Sequence, residues 1–333
     1  MANSNVPRIA IVGGESLIGR EIRELLPAMK PAPAVELVSG EPGSSKISRD
    51  DEGEPIVLEP MSARSFAGVR AVVLAGTAES SRRALELTAG KNVPLVDFTC
   101  ALEDQPNARL RAPLLEPAGA LGDHNIHVIA HPAAVLLALF YARFVGRWPI
   151  EQSVVEVFEP ASERGQRGLH ELQSQTVNLL SFKPLPKEVY DAQVGFNLLP
   201  AFGTEAKPVL ADIETTIDRH LATLLLISSR APMPSLRLVQ APVFHGYSSS
   251  VWVSFESSPT VADLELALAT AGIEVRSADE EPPNNVGAAG QSGLTVGDIR
   301  KDRNNPRAFW FWLVADNLRL FAETGVAVLK ECL

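Results

Sequence analysis

An apolar strand that ends on two glycines and runs straight into an amphipathic helix leaves few folds open. The segment RIAIVGGESLIGREIRELL, residues 8–26, has that form. Its strand shows no polar alternation, and Ile18, Ile22, Leu25 and Leu26 then recur at helical spacing. Strands buried on both faces belong to parallel sheets with helices on either side. Further strand signals follow at AVELVSG (34–40), AVVLAG (71–76), VPLVDF (93–98) and IHVIAHP (126–132). Between them ESSRRALELTAG (79–90) reads as a helix, with Gly90 placed to end it. The series predicts an α/β fold with a doubly wound parallel sheet over the first 130 residues.

The pattern changes beyond residue 150. SVVEVFE (153–159) and SVWVSFES (250–257) alternate with period two, as in a sheet with two chemically different faces. GLHELQSQTVNLL (168–180), DIETTIDRHLATLL (212–225) and PTVADLELALATAG (259–272) read as helices, the last with Thr260 and Asp263 as a capping pair and Gly272 as its stop. ADEEPPNNVGAAGQSG (278–293) has little to bury and reads as a long surface loop. The aromatic run Phe309–Trp312 is explained by strand alternation with one face on the core, followed by a terminal helix. A chain of 333 residues has room for two domains. Its net charge of −10 opposes a nucleic-acid backbone as ligand.

Two cysteines, Cys100 and Cys332, make neither a disulfide framework nor a zinc motif, which points to a reducing, cytoplasmic setting. The opening MANSNVPRIAIVGG lacks the basic start and long apolar run of a signal peptide. The most apolar helix, Ala133–Val145, is broken by Arg143 and too short to span a bilayer, so no membrane segment is expected. His124, His127, His170 and His220 show no metal-ligand spacing, and no metal is expected.

Strand, VGGESLIG, then helix is the layout of a dinucleotide-binding turn, in which glycines admit a pyrophosphate to a helix N-terminus. The candidate contacts are Gly13, Ser16, Leu17, Ile18 and Gly19, with Ser39 after the second strand and Ala75 and Gly76 after the third. Ser16 stands where glycine is usual, and its Cβ narrows the approach. Ser39 suits a ribose or a 2′-phosphate and Lys46 the phosphate, whereas Glu41 repels a phosphate and suits a ribose diol, so NAD and NADP both remain open. A tight strand-to-helix turn without ligand is the alternative.

A second junction, IAHPAAVLLAL (129–139), passes from strand through His131-Pro132 into a helix that starts on alanines. Pro132 is at home in a first helical turn. A helix start there is suited to holding an anion or lowering a thiol pKa. No thiol is present in it.

Taken in order, these segments resemble aspartate-semialdehyde dehydrogenase within the wider semialdehyde dehydrogenase family. IAIVGGESLIGREIRELL is similar to that family's nucleotide turn, VVLAGTAESSRRA to the next strand and loop, and VPLVDFTCAL to its D-x-S-S-A segment. GLHELQSQTVNLL, FNLLPAFG, QAPVFHGYSSSVWVSF and FWLVADNLRLFAE resemble its later helix, turn, strand and closing strand-to-helix segments. The resemblance implies a Rossmann-type domain at 1–132 completed by the helix 316–333. It also implies an inserted α+β catalytic and dimerisation domain at 133–315, hence a homodimer. Asn317, after Asp316, falls where the family meets the nicotinamide end of the cofactor, although Leu320 and Phe321 replace the lysine and glycine expected next. The activity implied is NAD(P)-dependent reductive dephosphorylation of aspartyl phosphate, through a cysteine nucleophile, a histidine acid/base, a glutamine and anion-binding arginines.

Carried over by position, those requirements fail. The nucleophile falls on Ala134, the glutamine on Glu159, an arginine on Gln240 and the histidine on Tyr247, while Glu103 falls near a phosphate-binding arginine. Ser162 and Gly165 keep the pattern, and Arg164 is a candidate partner for Glu159. Losing a nucleophile outright costs on the order of 10⁶ in rate in a well-studied hydrolase. Tyrosine, with a pKa of about 10, is a poor base near neutrality. Cys100 and His245 are the residues left to rescue chemistry, the latter if an extended chain turns it to the face of Tyr247. His131 is the histidine nearest the nucleophile position.

Two functions fit these substitutions. One is a homologue inactive in thiol chemistry, resembling the Usg-type paralogues of the family and retained to bind a metabolite, nucleotide or protein. The other is an active NAD(P)-dependent oxidoreductase with non-thiol chemistry through Tyr247 or His245.

Overall fold

The computed structural model describes residues 6–40, 46–49, 55–116 and 124–333, in two compact units. The first comprises residues up to Ala130 together with Phe321–Leu333, and the second His131–Leu320. Glu41 lies outside the described residues, as does the side chain of Lys46.

The first unit contains β1 (Arg8–Val12), α1 (Leu17–Leu25), β2 (Ala34–Val38), a hairpin of β3 (Lys46–Arg49) and β4 (Pro55–Leu58), β5 (Ala71–Leu74), α2 (Ala78–Thr88), β6 (Leu95–Asp97), β7 (Ala108–Arg111) and β8 (Ile126–Ile129). Six strands form one sheet in the order β2-β1-β5-β6-β8-β7, with every pairing parallel. β1, β5, β6 and β8 are wholly buried apart from Arg8, as strands covered on both faces must be. Ile9, Ile11, Val73 and Val96 face one apolar cluster, and Ala10, Val12, Val72 and Leu95 the opposite one. The strand β7 has no counterpart in the sequence reading. Its ARLR pattern hides a core residue, because Arg111 is fully buried.

Arg111 is tolerated there because its guanidinium is surrounded by partners. Nε reaches Glu116 Oε2 at 2.7 Å, Nη2 reaches Glu331 Oε2 at 2.6 Å, and Nη1 lies 3.2 Å from His127 Nδ1. Burial and the adjacent guanidinium hold His127 down to a pKa of about 4, so the imidazole is neutral and Nδ1 accepts. The cluster ties the sheet edge to the last helix, in which Phe321 also meets Phe98 edge-on at 4.9 Å.

The second unit begins with α3 (Pro132–Tyr141) and β9 (Ile150–Glu159), followed by α4 (Gly165–Leu180), α5 (Leu210–Ser228), β10 (Ser235–Gln240), β11 (Tyr247–Phe255) and α6 (Val261–Leu268). Then come β12 (Ile273–Val275), a one-turn α7 (Asn285–Ala288), β13 (Leu294–Lys301) and β14 (Ala308–Ala315), before α8 (Asn317–Cys332) returns the chain to the first unit. The sheet order is β10-β9-β11-β14-β13-β12, mixed in direction, with β11 antiparallel to both β9 and β14. Phe309 and Phe311 point inward beside Phe255, Phe140 and Phe144, while Trp310 points outward, as alternation requires.

Thr260 and Asp263 form the expected capping box, but α6 ends at Leu268 and Gly272 sits beyond it in a turn at φ +85°. The stretch 278–293 is not wholly a surface loop. Asn284 caps the short α7, and Asn285 anchors that turn by donating to Gly246 O at 2.6 Å and accepting from Ser248 Oγ at 2.7 Å. No helix among the described residues is long and apolar enough to cross a membrane.

Replacing Arg111 by Met leaves Glu116 buried without its cation. The expected outcome is a loss of about 3–5 kcal/mol in urea unfolding, and a loss below about 1 kcal/mol would show that the ion cluster carries little.

Candidate functional site

The second unit gathers its polar side chains around the start of α3. Pro132 opens the helix, and Ala134 lies in its first turn with its methyl group fully buried. His131 is the N-cap residue: its Nδ1 accepts from Ala133 N–H at 3.3 Å, and its own N–H donates to His220 Nδ1 at 2.9 Å. An accepting Nδ1 places the proton of the neutral ring on Nε2, which faces Glu163 Oε2 at 3.9 Å. Burial, then His220 and Arg164, lower the His131 pKa to about 3.

Glu159 ends β9 and Gln240 ends β10, and the two are register partners with fully buried side chains. Gln240 Nε2 donates to Glu159 O at 2.8 Å and Ala241 O at 3.0 Å, so its amide ties two strand ends together and offers no donor to a ligand. Arg164 Nη2 sits 3.0 Å from Glu159 Oε1, the distance of an ion pair, though without hydrogen-bond alignment. Burial raises the Glu159 pKa to about 7 against the pull of Arg164. Glu163 is raised for the same reason, and Arg164 stands beside both carboxyls.

Tyr247 opens β11 with its side chain buried, its ring centroid 6.1 Å from that of His131. Burial, then Glu163 and Glu159, push its pKa well above 10. A phenol shifted in that direction holds its proton and is a poor base at neutral pH. Asn317 fastens the cluster: Oδ1 accepts from Ser162 Oγ at 3.1 Å and Gly246 N–H at 3.0 Å, and Nδ2 donates to Glu163 Oε1 at 2.7 Å. Asp316 caps α8 by accepting from Leu318 and Arg319 N–H, and its other oxygen accepts from Gly290 N–H at 2.7 Å.

The structure thus brings Ala134, Glu159, Gln240, Tyr247, His131, Ser162, Arg164 and Asn317 into one unit and joins most of them by direct contacts. His245 does not join them as expected. β11 starts only at Tyr247, and Gly246 takes φ +83°, so the extended geometry that would align His245 with Tyr247 is broken. Cys100 belongs to the first unit, half-buried at φ +57° in the turn that Asp97 closes by accepting from Thr99 and Leu102 N–H. Glu103 follows on the same turn. Cys332 is in the first unit too, so His131–Leu320 contains no cysteine.

Glu163 is the residue that the sequence pattern passed over. Its signal was the pair of charges, Glu163 and Arg164, set between Ser162 and Gly165. Among the described residues no group of three or more His, Cys, Asp or Glu is placed to hold a metal.

In the first unit, Gly13 lies at φ +78°, and a Cβ there would come 2.4 Å from Gly76 Cα. Ser16 is the N-cap of α1: its Oγ accepts from Gly19 N–H at 2.9 Å and donates to Ala75 O at 2.7 Å. The hydroxyl is therefore used within the turn, while the N–H groups of Leu17 and Ile18 open the helix without a partner inside it. Ser39 is buried directly after β2. Glu15 brings a carboxylate to that strand end. Its Oε1 accepts from Gly40 N–H at 3.3 Å, and its Oε2 is buried with no hydrogen-bond partner among the described residues.

Residues 139–320 match the dimerisation domain of semialdehyde dehydrogenase, more than half of the chain. The chain belongs to the semialdehyde dehydrogenase family. It is 24% identical over 332 residues to an aspartate-semialdehyde dehydrogenase of Synechocystis, covering 98% of this chain and 97% of that protein. It is 28% identical over 340 residues to a USG-1 protein homologue of Azotobacter vinelandii, with 98% and 97% covered. In fold it resembles aspartate semialdehyde dehydrogenase II of Vibrio cholerae complexed with ASA, at a TM-score of 0.82, 22% identity and 98% coverage of each chain.

An acid that is protonated in the fold but ionised in the unfolded chain loses the protein stability as pH rises from its ordinary value to its raised one. For Glu159 that window runs from about 4.5 to about 7. Glu159→Gln is therefore expected to match the wild type in urea unfolding at pH 5 and to exceed it at pH 8, by on the order of 2 kcal/mol. A difference independent of pH would show that Glu159 is ionised throughout.

Proposed function

We propose that this member of the family does not perform thiol-dependent reductive dephosphorylation and serves as a dimeric binding protein. The observation that carries the reading is the buried methyl of Ala134 at the start of α3, in a unit without any cysteine. A methyl cannot attack a carbonyl carbon. Around it, Arg164 faces Glu159 and Asn317 holds Glu163, so the site's cation already stands against a carboxyl of the protein itself. An acyl phosphate with a second carboxylate would meet two more carboxyls and one engaged cation there.

The glycine turn supports a dinucleotide as ligand. The free N–H groups of Leu17 and Ile18 suit the pyrophosphate, and the unpartnered oxygen of Glu15 beside the end of β2 suits a ribose hydroxyl, which is a donor. The same carboxylate opposes a 2′-phosphate, so the reading favours NAD over NADP. A bound nicotinamide would supply hydride transfer.

The dimer is supported by the dimerisation-domain match and by the outer face of the second sheet. Across that face Val154 pairs with Trp252 and Trp252 with Trp310, an apolar row that is partly open to water.

A second reading, oxidoreduction without a thiol, rests on Tyr247 lying beside Glu163. Assays of aspartate semialdehyde oxidation with NAD or NADP, with and without phosphate, separate the two. No turnover is expected from the wild type or from Ala134→Cys, which lacks the histidine and arginines. Turnover lost in Tyr247→Phe would overturn the proposal in favour of the second reading.

By calorimetry NAD is expected to bind at least about tenfold more tightly than NADP, with Glu15→Gln narrowing the gap. Tighter binding of NADP, or of neither nucleotide, would remove the dinucleotide assignment. Trp252→Glu is expected to convert a dimer to a monomer in light scattering, and a monomeric wild type would remove the dimer.

A further inference from the structure

A cleft of the first unit lies at the end of the sheet opposite the glycine turn. It encloses about 900 Å³ and is lined by Arg8, Lys30, Arg70 and Lys330, with Pro7, Met29 and Gly68 among the uncharged residues. Four separate segments bring these cations together. Arg8 starts β1 and Arg70 directly precedes β5, its paired neighbour, and Arg70 N–H donates to Arg8 O at 2.7 Å. Lys30 follows α1, and Lys330 stands in the last turn of α8.

Two of the four cations, Arg8 and Arg70, have a partner inside the protein. Glu36 Oε2 takes Arg8 Nη2 at 2.8 Å, and Arg70 Nη2 donates to the main-chain oxygen of Leu333 at 3.4 Å. Lys30 and Lys330 have no acidic partner among the described residues. On a chain of net charge −10, four cations around one concavity make a local positive field against the sign of the whole.

We propose that this cleft binds a small phosphate-bearing anion, independently of the glycine turn. The guanidiniums of Arg8 and Arg70, carried on neighbouring strands, offer forked donors that match phosphate oxygens, and Lys30 and Lys330 add point charges from two sides. The volume admits a small phosphorylated metabolite, and the chain's net charge of −10 opposes an extended nucleic acid.

Inorganic pyrophosphate, titrated calorimetrically at constant ionic strength, tests the site. Binding is expected in the wild type, with at least about a tenfold loss in the Arg70→Gln, Lys330→Gln double variant and a smaller loss in Lys30→Gln. All three side chains are exposed, and thermal melts of the variants check that the fold is kept. No binding by the wild type, or an unchanged affinity in the double variant, would overturn the proposal. Citrate binding as tightly as pyrophosphate would overturn the assignment to phosphate.

Discussion

Everything around the start of α3 follows from the cost of burying charge without water. Glu159 has no exposed surface, and an isolated carboxylate in such a place is driven to protonate. Arg164 lowers that cost and Glu163 raises it again, so the three share one balance. Asn317 then fixes Glu163 and, through its oxygen, the turn before β11. Because β11 pairs with both β9 and β14, the polar cluster and the central strands of the sheet are one mechanical object.

That arrangement gives the substituted residues structural work. Gln240 bonds the strand end on which Glu159 stands, and His131 caps the helix where a thiolate would have drawn on the same N–H groups. Tyr247 fills the wall opposite His131. Each polar atom turned inward in this way is one fewer available to a substrate. Restoring a thiol alone would therefore put a nucleophile into a site where the Gln240 amide nitrogen and the His131 Nδ1 are already engaged.

The architecture was legible because it is written in periodicity. Unbroken apolar runs announced the parallel strands, period two announced the strands of the second sheet, and Thr260 with Asp263 announced the start of α6. What stayed hidden was hidden by charge or by distance along the chain. β7 reads as polar because its buried member is Arg111, whose partners Glu116 and Glu331 lie 5 and 220 residues away. α7 lies in a stretch with little to bury and is held by Asn285 to a strand start forty residues earlier in the chain. His245 depended on one backbone angle, and a glycine at φ +83° is not visible as such in a sequence.

The candidate sites were legible to different depths. A resemblance carries positions, so Ala134, Glu159, Gln240 and Tyr247 could be named before their surroundings were known. It cannot say which neighbours answer a substituted charge. Glu163 was adjacent to a named residue and still unassigned, because only the fold shows that Asn317, His131 and Tyr247 converge on it. The glycine turn shows the same limit from the other side. A carboxylate near the end of β2 was expected from Glu41, which lies outside the described residues, and Glu15 brings one there too, its side chain crossing from the first turn to Gly40. The type of group needed at a place is easier to infer than the residue that supplies it, since several stretches of chain can reach one point in a packed structure.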